Sequence, residues 1–155
     1  MKIDGKMITR CQVAIFLLCL FLGSGCSKQK LPDDMPKLYP CKITIKDKDG
    51  KPMPTVVVSL NPEDKDNRWG ASGETNASGV AVILTSGQYP GLAQGKYRVT
   101  LTRLEHVKTG ELNDAGNEII LSKNLILEEY SNLASTPFQF AMETKATTLT
   151  FQLEK

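Results

Sequence analysis

From residue 41 onward, apolar side chains recur at every second position, in short runs broken by Gly, Pro, Asn and Asp. A period of two is the repeat of a pleated strand, whose successive side chains point to opposite faces. Cys41, Ile43 and Ile45 alternate with Lys42, Thr44 and Lys46, a half-buried strand with its lysines in water. Val56, Val58 and Leu60 share a face of Thr55–Leu60, and Val57 suggests partial cover on the other. Residues 70–76 form a short run of small side chains, and Val80, Val82 and Leu84 lie on one face of the next run. Tyr97, Val99 and Leu101 alternate with Arg98, Thr100 and Thr102. Phe138, Phe140 and Met142 follow, then Leu149, Phe151 and Leu153. The expectation is an all-β chain with about seven short strands, packed as a single Greek-key β-sandwich. Between the strands, Asp47–Pro54 and Asn76–Gly79 read as turns, and residues 61–68 and Ser86–Gly95 as loops. Glu105–Glu118 reads as an irregular excursion, because Gly110, Asn113, Asp114, Gly116 and Asn117 crowd it. Ile119–Leu121 is expected to pair briefly, and Leu125–Leu133 to hold one or two turns of helix.

The first 40 residues follow other rules. Lys2, Lys6 and Arg10 precede an apolar run, Cys11–Leu22, interrupted by Gln12 alone. Gly23, Ser24 and Gly25 then lead to Cys26. This is the three-part plan of a secretory leader. Twelve residues of helix span roughly 18 Å, short of a hydrocarbon core about 30 Å thick, so a cleaved signal is expected over 1–25. The segment's end resembles a bacterial lipoprotein lipobox, which implies lipid on Cys26 and an exported, lipid-anchored protein of the cell envelope. Gly23 stands where that pattern usually has Leu, and Ser27 is not the Asp that marks inner-membrane retention in some bacteria. The outer membrane or cell surface is therefore favoured. Residues 26–40 read as lipidated Cys and tether, since Pro32, Pro36 and Pro40 deny them a helix or a central strand. Residues 41–155 are the expected domain.

The chain carries a formal charge of +2, and the leader accounts for it: three basic side chains stand against Asp4, leaving residues 26–155 neutral. A neutral domain gives no electrostatic case for nucleic acid. Removal of Cys11 and Cys19 with the leader, and lipid on Cys26, would leave Cys41 alone, without an internal disulfide or a cysteine metal cluster. Its place at the head of an alternating run predicts a buried structural thiol.

Three stretches are similar to a known family. DKDGKPMPTVVVSLNP (47–62) resembles the D-G-K-P-L-P-G-A-x-V-x-V hairpin of carboxypeptidase regulatory-like domains. SGETNASGVAVIL (72–84) resembles their G-x-T-D-x-D-G-x-F-x-L step, and QGKYRVTLTR (94–103) their P-G-x-Y-x-V-x-V strand. LEEYSNLASTPFQFAME (127–143) resembles a Y-x-x-P-x-T-S-x-L-x-V-x-V segment of the same proteins. The resemblance covers residues 41–153 and implies a transthyretin-like, or prealbumin-like, sandwich that assists, spaces or binds. Asn76 stands where the pattern usually has Asp, which weakens the expectation of a metal or a fixed turn hydrogen bond there.

No catalytic residue is expected. His106 is the single histidine, whereas transthyretin-like hydrolases use several. Ser72, Ser78 and Ser86 fall in turn-like segments rather than beside it. Asp47, Asp49, Glu63, Asp64 and Asp66 are interrupted by Lys48 and Lys65 and read as solvated turns rather than calcium ligands. Related adhesin domains carry a Lys–Asn isopeptide bond, but Leu149–Leu153 offers Lys42 and Lys46 neither Asn nor Asp. No cofactor or metal is expected. The candidate ligand-binding residues are Trp69 and Tyr89, loop aromatics able to stack on sugar rings. The expected function is a non-enzymatic interaction or structural module, with the membrane as one partner and an envelope protein or glycan as another. The alternatives are a glycan-binding surface lipoprotein and an accessory subunit of an envelope transport or secretion complex.

Overall fold

Thirteen strands and one four-residue helix make up the computed structural model, which describes residues 30–154. The predicted leader and Cys26 lie outside the described residues. In chain order the elements are β1 (Leu38–Tyr39), β2 (Cys41–Lys46), β3 (Val57–Pro62), β4 (Ala71–Glu74), β5 (Val80–Val82), β6 (Leu84–Thr85) and β7 (Tyr89–Pro90). Then come β8 (Leu92–Ala93), β9 (Gly95–Thr102), β10 (Leu104–Leu112), β11 (Glu118–Asn124), α1 (Glu128–Ser131), β12 (Gln139–Met142) and β13 (Thr147–Gln152). The six-stranded sheet has the order β12-β9-β3-β4-β6-β7, antiparallel throughout. The three-stranded sheet is β13-β2-β5, with β13 parallel to β2 and β5 antiparallel to it. Two further pairs, β1-β8 and β10-β11, stand as separate two-stranded sheets. Among the described residues no sheet closes into a barrel.

All seven expected strands are present, and the all-β expectation holds. Their alternation puts Ile43 and Ile45 of β2, Val58 and Leu60 of β3, and Tyr97, Val99 and Leu101 of β9 in one buried cluster. Burying such side chains contributes about 1.5–3 kcal/mol each. Tyr97 is wholly buried, yet its hydroxyl donates to Ala93 O at 3.0 Å and accepts from Asn67 Nδ2 at 3.2 Å. Every buried side-chain N or O atom among the described residues has a partner; Thr75 Oγ1, for example, donates to Met53 O and accepts from Val56 N.

Five strands, β1, β6, β7, β8 and β10, were not expected, and β11 extends the brief pairing expected at 119–121. Four of the five, β1, β6, β7 and β8, are two residues long, too short for a periodic signal. One of these, β1, pairs with β8, so Leu38 and Tyr39 at the end of the expected tether carry strand pairing. The excursion predicted over 105–118 is instead regular structure: β10 and β11 form a long antiparallel hairpin. The helix expected within 125–133 is the single turn α1, held by buried Tyr130 stacked on Phe138 at 5.3 Å.

The run Val80–Leu84 needs a correction of another kind. Its buried side chains are Ala81 and Ile83, followed by buried Thr85, while Val82 is 53% exposed. The chain changes sheets here. β5 pairs with β2, β6 pairs with β4, and Ile83 between them donates its N–H to Cys41 O. Asn76 also departs from expectation. Its Oδ1 accepts from Ser78 N at 2.9 Å and Val80 N at 3.1 Å, so Asn builds the fixed turn that Asp would.

Candidate interaction surface

Among the described residues no layer covers the β10–β11 hairpin. Apart from half-buried positions such as Thr109, Glu118 and Ile119, its residues are exposed on both faces. Leu104, His106 and Lys108 on one face oppose Asn124, Ser122 and Ile120. On the other, Glu105 opposes Lys123 and Val107 opposes Leu121. Val107 is 48% exposed, Ile120 54% and Leu121 60%. Of the exposed large apolar side chains among the described residues, most lie between Leu104 and Leu133. A two-stranded ribbon is marginal by itself, and clustered exposed apolar side chains mark contact surfaces.

Local chemistry accounts for the hairpin. Its turn, NDAGN (113–117), has Asn113 Oδ1 accepting from Ala115 N and Asn117 N, both at 3.0 Å, and Gly116 at φ 78°. Lys108 Nζ pairs with Glu118 Oε2 at 2.9 Å. His106 Nδ1 and Ser122 Oγ are hydrogen-bonded across the strands at 2.9 Å. His106 therefore sits on a strand, not in the irregular excursion expected over 105–118. At the base, Arg103 N donates to Asn124 Oδ1 at 3.0 Å and Leu125 N to Arg103 O at 2.8 Å, tying the ends of the ribbon together.

The two edges of the ribbon differ. The Leu125–Arg103 bond and the Thr109 Oγ1 bond to Ile119 O direct the backbone groups of odd-numbered β11 residues toward β10. Those of Glu118, Ile120 and Ser122 then face outward, along an edge with no strand neighbour among the described residues. The β10 edge carries Lys108 and a register irregularity between Lys108 and Leu112, devices that discourage further pairing. β11 carries charge at Glu118 and Lys123, but the four residues between them, 119–122, hold neither Pro, Gly, charge nor bulge.

The aromatics expected to bind ligand sit elsewhere. Trp69 and Tyr89 are both half-buried and flank the β6–β7 turn, where Ser86 N donates to Gly70 O and Tyr89 pairs with Thr85. Tyr89 is in a strand rather than a loop. The Arg68 guanidinium lies 5.0 Å from the Trp69 ring centre and pairs with Asp34. Asn67 Oδ1 accepts from Trp69 N while Asn67 Nδ2 reaches Tyr97, so this loop is tied to the core.

A shallow cleft of about 580 Å³ lies among Asn61, Pro62, Glu63, Arg98, Asn132, Leu133 and Ala134. Arg98 Nε donates to Glu63 Oε1 at 3.1 Å and Nη1 to Leu133 O at 3.3 Å, so its guanidinium ties this surface together. Asp47 Oδ1 accepts from Asp49 N and Lys51 N, which makes it a turn former. Cys41 is buried, as expected, and burial pushes its thiol up to about 11, away from the thiolate a nucleophile needs.

No family model and no curated protein matches the sequence. Among solved structures, a 9R-lipoxygenase from Cyanothece PCC8801 aligns with a TM-score of 0.38 at 10% identity, over 83% of this chain and 18% of that chain. The chain thus spans less than a fifth of that protein's length, and likeness at this level bears on neither fold nor function.

Proposed function

We propose that this chain is a lipid-anchored, non-enzymatic interaction module of the cell envelope that presents the β10–β11 ribbon to its partner. The observation that carries the reading is the directly opposed pair Val107 and Leu121, exposed on a ribbon that no layer of the described residues covers. Its scaffold is a Greek-key β-sandwich of the carboxypeptidase regulatory-like kind. The shared core of the two larger sheets and the motif resemblance over 41–153 favour this reading. The basic start, apolar run and small residues before Cys26 favour export and acylation.

A photo-crosslinking side chain at Val107 of the full chain, in intact cells, tests the contact surface. It is expected to give envelope adducts that the same group at Asp49, in an exposed turn, does not. Equal labelling at both positions, or recovery of the chain unacylated in the soluble interior, overturns the reading. Protein adducts support an accessory-subunit role. Retention on polysaccharide that disappears in Trp69→Ala would instead favour the glycan-binding alternative.

A further inference from the structure

We infer that the open edge of β11 pairs with β11 of a second copy of this chain, antiparallel about a two-fold axis at Ile120. This rests on the ribbon being a contact surface and names the partner at its open edge. Symmetric antiparallel pairing must join outward-facing residues to outward-facing residues, so Glu118, Ile120 and Ser122 can only meet one another. Centred on Ile120, the ladder sets Ile120 against its own copy, Glu118 against Ser122, and Ile119 against Leu121 twice. Every apolar residue of the edge then faces an apolar one. Centring on Leu121 instead sets Ile119 against Lys123 and Ile120 against Ser122, and centring on Ile119 sets Leu121 against Asn117. The sequence Glu118–Ser122 is thus self-complementary in one register. That pairing also joins Val107, Leu121 and Ile119 to their copies as one apolar patch across four strands.

The test uses single cysteines in the full chain, in intact cells under mild oxidation, with the unsubstituted chain as blank. Opposed residues in such a hydrogen-bonded pair have Cα atoms about 5.5 Å apart, within disulfide range. Ile120→Cys is expected to give a band of doubled mass on a non-reducing gel. Ile119→Cys and Leu121→Cys are each expected to give none alone and a doubled band when coexpressed. Val107→Cys, comparably exposed but about 16 Å from its copy, three strand spacings across and two residues along, is expected to give none. Doubled bands at all positions, or none at Ile120, overturn the pairing. An Ile120→Cys adduct with a different polypeptide overturns it while sparing the contact-surface reading, as does a Val107 photo-adduct obtained without any cysteine dimer.

Discussion

At the scale of single residues, the feature with the clearest energetic consequence is Thr55. It holds φ at 57°, in the left-handed region where a β-branched side chain is crowded. In the resembled hairpin pattern this position carries Gly. Left-handed backbone costs an ordinary residue about 1–2 kcal/mol, while Gly loses roughly 0.5–1 kcal/mol more chain entropy on folding. Thr55→Gly is therefore expected to stabilise the protein by about 0.5–1 kcal/mol, read as a higher urea midpoint; an unchanged or lower midpoint would contradict it. Cys41 gives a second expectation, in pH. Burial raises its thiol from 9.0 to about 11. Between those values the unfolded chain sheds a proton that the folded one keeps, so stability is full below pH 9.0 and falls as the pH climbs toward 11. Tyr97, raised chiefly by burial and held back by its bond from Asn67, acts in the same direction. A urea-midpoint series from about pH 8 to 11 should decline less steeply in Cys41→Ala than in the unsubstituted chain. Parallel declines would show that the thiol does not titrate this way.

At the scale of elements, the ribbon is separable from the core. No residue from Leu104 to Asn124 is buried, and the Leu125–Arg103 bond already brings its ends together. Replacing 105–123 by a short Gly-containing link is expected to change the unfolding free energy by less than about 1 kcal/mol, since little apolar burial is lost. A loss above roughly 3 kcal/mol would mean that the ribbon supports the core. Apart from the brief pairing expected at 119–121, the ribbon was not legible in the sequence, for a physical reason. Its apolar residues do not alternate with polar ones, because neither face is buried: Val107 lies opposite Leu121, yet Ile119, Ile120 and Leu121 run consecutively. A signal was nonetheless present in the turn. DKDGK (47–51), NASGV (76–80) and NDAGN (113–117) share an Asp or Asn three places before Gly. In all three, that residue's Oδ1 accepts from the N–H groups two and four places on, and the Gly takes φ between 72° and 78°. The first two were legible as turns because alternating runs flank them; the third lacked that frame. Conversely, the core positions on β2, β3 and β9 were legible because burial on one face alone imposes strict alternation. The contact surface was not, since openness leaves no comparable pattern.

At the scale of the whole described region, the chain joins its two larger sheets in the middle of one run. Wholly buried Ile83 sits between β5 and β6, with its N–H on Cys41 O and its C=O accepting from Gly91 N. Because both sheets share this residue and one core, neither can shed its buried face without exposing the other's. They should open as one cooperative unit, while the ribbon, which has no buried residue and is tied at its base, opens earlier. Native-state hydrogen exchange tests this directly. The amides of Ile45, Val58 and Val99 are expected to exchange only through global unfolding and to share one free energy of opening. The amides of Val107 and Leu121, bonded across the ribbon, are expected to exchange through smaller openings that depend little on denaturant. If β2 amides exchanged well before those of β3 and β9, the sheets would be independent and the junction at Ile83 no more than a link. Should the ribbon amides match the core in intact membranes while exchanging early in dilute detergent solution, the difference would report the partner that covers them.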